Sequence, residues 1–180
     1  MIGSYGCGAL PVQDPMRDWP ILGLLRHDQG PRLALALVYV GVAGLVLSWL
    51  ALGRAVRGGD VHTDRRSLLI TAAWWSAPLL LAIPLFSRDL WSYAAQAHIT
   101  ALGLDPYQVG PDQVPGRFLD EVQRVWVDSP APYGPLWLGG GRLVSLVAGG
   151  HVYATVIGMR LVSVLGVVLM ARYIPRLAQA

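Results

Sequence analysis

Arg88 and Asp89 stand where a long apolar segment ends, just ahead of Leu90-Trp91-Ser92-Tyr93. After a polar, Pro-rich stretch the chain returns to apolar sequence through Pro132-Tyr133-Gly134-Pro135-Leu136-Trp137. A guanidinium and a carboxylate at the mouth of a membrane span are costly, and are tolerated where they face water, a partner or a substrate. Chemistry on a lipid-borne substrate has to take place at this depth. Asp89 beside Arg88 also has a plainer reading, as a helix-start acid with a surface neighbour. Arg160 interrupts a later apolar run. A guanidinium inside a span must find a carbonyl, another helix or a lipid phosphate.

The elements that must position these groups follow from composition. The chain is 54% hydrophobic and 14% charged, with mean hydropathy +0.47. Soluble domains carry nearer a quarter charged residues, so a membrane protein is expected. The net charge of +3 comes from scattered arginines. No basic stripe with interleaved aromatics appears, which argues against nucleic acid as a partner. Cys7 is the only cysteine, so neither an internal disulfide nor a thiolate metal cluster is available.

Spans of about 20 apolar residues are expected at 33–52, 68–86 and 152–174, the second holding Pro78 and Pro84. Residues 136–148 are too few to cross and contain Gly139-Gly140-Gly141 and Arg142, which suggests a re-entrant or interfacial segment or a bent half-helix. Arginine placement sets the orientation. Arg54, Arg57, Arg65 and Arg66 put loop 53–67 in the cytoplasm, and Arg172 and Arg176 put the end, 175–180, there too. Loop 87–135 carries Asp89, Asp105, Asp112, Asp120, Glu121 and Asp128 against three arginines, so it lies outside, as does segment 1–32. That segment lacks a signal-peptide pattern, so an earlier helix is expected to precede it.

Within the outer loop, Ser87 is the expected N-cap of an amphipathic helix over 89–102. At about 100° per residue, Asp89, Ser92, Tyr93, Gln96 and Thr100 share one face, and Leu90, Trp91, Ala94, Ala95, Ala97 and His98 the other. Such a helix would lie along the membrane surface, with Asp89 and Gln96 toward a water-facing groove. Gly103 should end it, and Asp105-Pro106-Tyr107 should begin a turn. A short helix is expected within 118–127. His98 reads as a buried, hydrogen-bonded histidine, and His62 and His151 as loop or interfacial residues. No His/Asp/Glu spacing resembles a preassembled metal site, so no cofactor is expected, with a divalent metal left as an alternative.

The series Ser87-Arg88-Asp89-Leu90-Trp91-Ser92-Tyr93-Ala94-Ala95-Gln96, Gly103-Leu104-Asp105-Pro106-Tyr107 and Pro132-Tyr133-Gly134-Pro135-Leu136-Trp137 resembles the actinobacterial polyprenyl-phosphomannose-dependent α-1,6-mannosyltransferases. Gly3-Ser4-Tyr5-Gly6-Cys7-Gly8-Ala9-Leu10-Pro11 looks like the stretch after their first membrane helix. The resemblance implies an all-α, polytopic fold of the GT-C class in the plasma membrane, of which this chain would be an N-terminal fragment. It implies an inverting transfer of mannose from polyprenyl phosphate to the 6-hydroxyl of a mannan or glycolipid acceptor on the outer face. Asp89 matches the family's catalytic carboxylate. Arg88 would steady the leaving phosphate or merely flank the base. Tyr107, Tyr133 and Trp137 would form the sugar-binding wall and lipid edge, with Gln96 and Arg160 as further substrate contacts. The competing class is a non-enzymatic transporter or assembly subunit for lipid-linked glycans, which would place its polar groups near mid-bilayer.

Overall fold

The structure is a computed structural model and describes residues 1–14, 19–59 and 64–177, the side chain of Ile21 excepted. Residues 60–63 of the expected cytoplasmic loop, His62 among them, and 178–180 of the expected cytoplasmic end lie outside the described residues. Among the described residues all regular structure is helical, as expected: α1 (Ser4–Cys7), α2 (Pro20–Gly23), α3 (Gly30–Arg57), α4 (Arg65–Leu80), α5 (Asp89–Ala101), α6 (Arg117–Glu121), α7 (Pro135–Val147) and α8 (Val152–Leu177), with 3₁₀ turns at Pro111–Gln113 and Arg124–Trp126. The chain divides between Ser87 and Arg88 into two compact units.

In the first unit the N-terminal segment ties the others together. The Tyr5 hydroxyl donates to the Leu81 carbonyl (2.7 Å), the Ile83 N–H donates to Ser4 Oγ (3.0 Å), and the Ala9 N–H donates to the Pro84 carbonyl (2.7 Å). These bonds explain why α4 differs from the expected 68–86 span. It begins earlier, where Asp64 caps it by accepting from the Ser67 N–H, and stops at Leu80. Pro84 lacks an N–H and disfavours helical geometry at Ile83, so backbone 81–84 bonds to the N-terminal segment instead. With 16 residues, α4 measures about 24 Å, short of the roughly 30 Å hydrocarbon core.

Among the described residues two helices are long and apolar enough to cross a membrane, Gly30–Arg57 and Val152–Leu177. Only 11% and 17% of their most apolar windows are buried within the protein, so lipid or further helices must cover them. α8 also runs past Pro175 to Leu177, where the third span was expected to end at 174.

In the second unit α5 is the central element. Trp91, Ala94 and Ala95 form its core with Phe118 and Val122 from the α6 region and Val152 and Val156 of α8. Trp91 meets Tyr153 edge-on at 6.1 Å. α7 packs along another side of α5. A side-chain carbon at Gly141 would sit 3.0 Å from Cβ of Ala97, so two small residues let the helices approach closely. Neighbours on several sides bury Ser92 and Gln96 to 5% exposure. α5 is therefore enclosed by its own unit, where an amphipathic helix on the membrane surface was expected. α7 is one unbroken helix of 13 residues, about 20 Å long, too short to span.

Candidate functional site

The start of α5 is fixed by charge. Arg88, and not Ser87, occupies the N-cap position, and Asp89 is the first helical residue. A carboxylate there complements the helix dipole. The Arg88 guanidinium reaches across to the end of α6, with Nη2 2.9 Å from Glu121 Oε2, while Nε and Nη2 both donate to the Glu121 carbonyl oxygen (3.2 and 2.9 Å). Glu121 is only 5% exposed at its side chain, so its charge requires this cation. A substrate phosphate would have to share Arg88 with Glu121.

Aromatic residues gather one turn along the same face of α5. Tyr93 meets Tyr133 edge-on at 5.2 Å and Trp137 edge-on at 6.0 Å. The Tyr107 hydroxyl donates to the Tyr133 carbonyl (2.8 Å), which ties the turn after α5 to the corner before α7. That turn forms as the sequence predicts: Gly103, at φ 81°, receives the end of α5, and Asp105 accepts from the Tyr107 N–H and from Gln108 Nε2, both at 2.9 Å. Gly134 precedes α7 and Pro135 opens it, where a missing N–H costs nothing.

The Tyr133 phenol is pushed up to about 12, first by burial, then by its hydrogen bond with Tyr93, and further by the negative charges of Tyr93 and Asp89. It therefore stays protonated at any working pH, beside a carboxylate whose charge it feels.

Of the residues singled out in the sequence, the fold thus gathers Asp89, Tyr107, Tyr133 and Trp137 into one network. Tyr93, its hub, was placed on the polar face of α5 but not named as a site residue; its spacing of four from Asp89 was the available signal. Gln96 continues the same face two turns from Asp89, but buried and with Oε1 unpartnered, as is Ser92 Oγ. It does not face an open groove here. Arg160 stands on α8, partly buried and next to Met159, outside the tyrosine network. Among the described residues no three His, Cys, Asp or Glu side chains form a group that could hold a metal. His98 stacks on Phe118, centroids 4.1 Å apart, and its Nδ1 lies 3.4 Å from Ser145 Oγ. Burial lowers its pKa.

The profile of a family described as "Alpha-(1->6)-mannopyranosyltransferase, N-terminal domain" matches residues 1–180. The chain belongs to this family. An alpha-(1->6)-mannopyranosyltransferase A of Mycobacterium tuberculosis is 38% identical over 176 residues, which are 98% of this chain and 34% of the relative. A second alpha-(1->6)-mannopyranosyltransferase of that organism is 41% identical over 99% of this chain and 30% of its own length. The alpha-(1->6)-mannopyranosyltransferase A of Corynebacterium glutamicum is 31% identical, over 99% of this chain and 38% of its own length. The chain thus spans about a third of the curated relatives it matches. No solved structure matches it.

Proposed function

We propose that this chain is the N-terminal part of a plasma-membrane mannosyltransferase with a GT-C-like fold. In this reading it moves mannose from polyprenyl phosphate to the 6-hydroxyl of a growing mannan chain, as in lipomannan- or lipoarabinomannan-type glycans, on the outer face and with inversion. The observation that carries the reading is the placement of Asp89, first residue of α5, near enough for its charge to act on Tyr133 of the Tyr93–Tyr133–Trp137 cluster. Aromatic rings offer flat surface to the C–H faces of a sugar, and a fixed carboxylate accepts a hydroxyl proton. The acceptor 6-hydroxyl gives its proton to Asp89 as its oxygen bonds to C1 of the donor mannose. The bond from C1 to the phosphate oxygen breaks, and polyprenyl phosphate leaves.

Arg88 serves chiefly to hold α5 through Glu121, and so positions Asp89. Tyr133, kept protonated, supplies a neutral wall that does not compete for the proton. A transporter would need its polar groups at mid-membrane. Here they lie on α5 and α7, 13 residues each, and neither long enough to span.

Asp89→Asn in the complete membrane protein should lower mannose transfer by about 10²–10⁴-fold, the usual worth of a positioned base, with insertion into the membrane unchanged. Near-normal transfer would sink the base assignment.

A further inference from the structure

The second unit holds a cavity of about 290 Å³ that Tyr107 helps to line. Asp105, Tyr107, Leu138, Gly139 and Arg142 are among its walls. The volume is at the small end of ligand pockets, room for one sugar ring and not for a chain. Leu138, Gly139 and Arg142 stand on one face of α7, at spacings of three and four.

Two features suggest that the space is kept for a ligand. Among the described residues the exposed Arg142 side chain makes no ion pair, hydrogen bond or ring contact, so its donors are available. A side-chain carbon at Gly139 would meet nothing within 4 Å, so the glycine leaves room that no neighbouring helix fills. Glycine inside a helix is unfavourable without such a reason.

The charges define the ligand. Asp105 shares the cavity with Arg142, and the opposed charges favour a neutral polar guest over a phosphate. Its two oxygens already take the Tyr107 N–H and Gln108 Nε2, yet each carboxylate oxygen retains capacity for a further hydroxyl. Arg142 adds a forked donor, and the Tyr107 ring adds a flat apolar surface.

We propose that this cavity is a secondary sugar subsite, holding a hexose residue of the acceptor chain away from the hydroxyl that reacts at Asp89. Arg142 binds that residue's hydroxyls, and Tyr107, which lines the cavity and bonds to the Tyr133 carbonyl, links the subsite to the tyrosine cluster. The proposal rests on the acceptor reading above.

The test uses the complete protein in detergent, with α-(1→6)-linked mannotriose and methyl α-mannoside as probes and binding followed by saturation-transfer NMR. Arg142→Gln should weaken the trisaccharide about tenfold or more, the worth of one hydrogen bond to a charged group, and leave the monosaccharide unchanged. Gly139→Leu, which fills the cavity and improves helix propensity, should do the same without disturbing the fold. The idea is overturned if wild type fails to bind the trisaccharide, if both variants bind it normally, or if inorganic phosphate displaces it from Arg142. If Arg142-dependent binding is found in a protein that transfers no mannose, the subsite stands and the transferase reading falls. If transfer proceeds and the variants keep normal trisaccharide KM and binding, the subsite alone falls.

Discussion

Helix α3 leaves Tyr39, Val40, Leu47 and Trp49 more than half exposed, while α5 buries Ser92 and Gln96 to 5%. In water that would be an inverted protein. In a bilayer it is consistent, because lipid is as apolar as leucine and exerts no pressure to hide it. What governs burial in the second unit is how closely helices can approach. Ala94, Ala95 and Ala97 are nearly sealed, and Gly141 lets α7 come up against Ala97. Small residues decide which helix becomes the centre, and polar side chains are enclosed along with them. The comparison separates two tasks: α3 fits lipid, and α5 carries the proposed site.

The sharpest way to break that comparison is to release α5. Arg88→Gln leaves Glu121 buried without its cation, and losing one partner of a buried pair costs about 3–5 kcal/mol. Arg88 is 27% exposed at its side chain, which puts the expectation at the lower end. Thermal unfolding of the complete protein should show the loss, and adding Glu121→Gln should restore most of it, since no bare charge then remains. If Arg88→Gln is as stable as wild type but binds donor poorly, Arg88 is a phosphate ligand first and an anchor second.

Much of the scaffold was legible because it rests on local chemistry. Long apolar runs gave α3 and α8, Gly103 stopped α5, and Asp105 made its turn. Asp89, Tyr107, Tyr133 and Trp137 could be singled out by residue type and motif. The rest depends on contacts distant in sequence. Nothing near Arg88 announces Glu121 as its partner, and nothing in 68–86 announces that the N-terminal segment will take backbone 81–84 away from α4. Helical periodicity placed Ser92 and Gln96 on a polar face correctly, but a polar face is not an exposed one when alanine and glycine admit neighbouring helices.

A smaller effect sharpens the chemical side of the comparison. Tyr93→Phe keeps both edge-on ring contacts and removes the hydroxyl that pairs with Tyr133. The hydrogen bond is worth about 0.5–1.5 kcal/mol, so the fold should survive. Tyr133 loses two of the influences that hold its phenol at about 12, the hydrogen bond and the Tyr93 charge. Ultraviolet difference titration of tyrosinate should therefore show a residue that ionises at lower pH than in wild type. An unchanged titration would mean that burial alone controls Tyr133 and that Tyr93 is only a spacer.

The smallest effect concerns acid. His98 stacks on Phe118 and meets Ser145 Oγ through Nδ1, and burial lowers its pKa below the ordinary 6.5. Its folded pKa being the lower one, the unfolded chain binds the extra proton more readily. Stability that is complete above about pH 6.5 is then lost as pH falls toward the folded pKa. α3 carries no histidine, so between neutral and mildly acidic pH the step should fall on α5 and not on α3. Hydrogen exchange at α5 amides should quicken between neutral and mildly acidic pH, with α3 unaffected over that range. His98→Phe, which keeps a ring against Phe118, should abolish the acid step at α5. Its persistence in that variant would assign the step to another group.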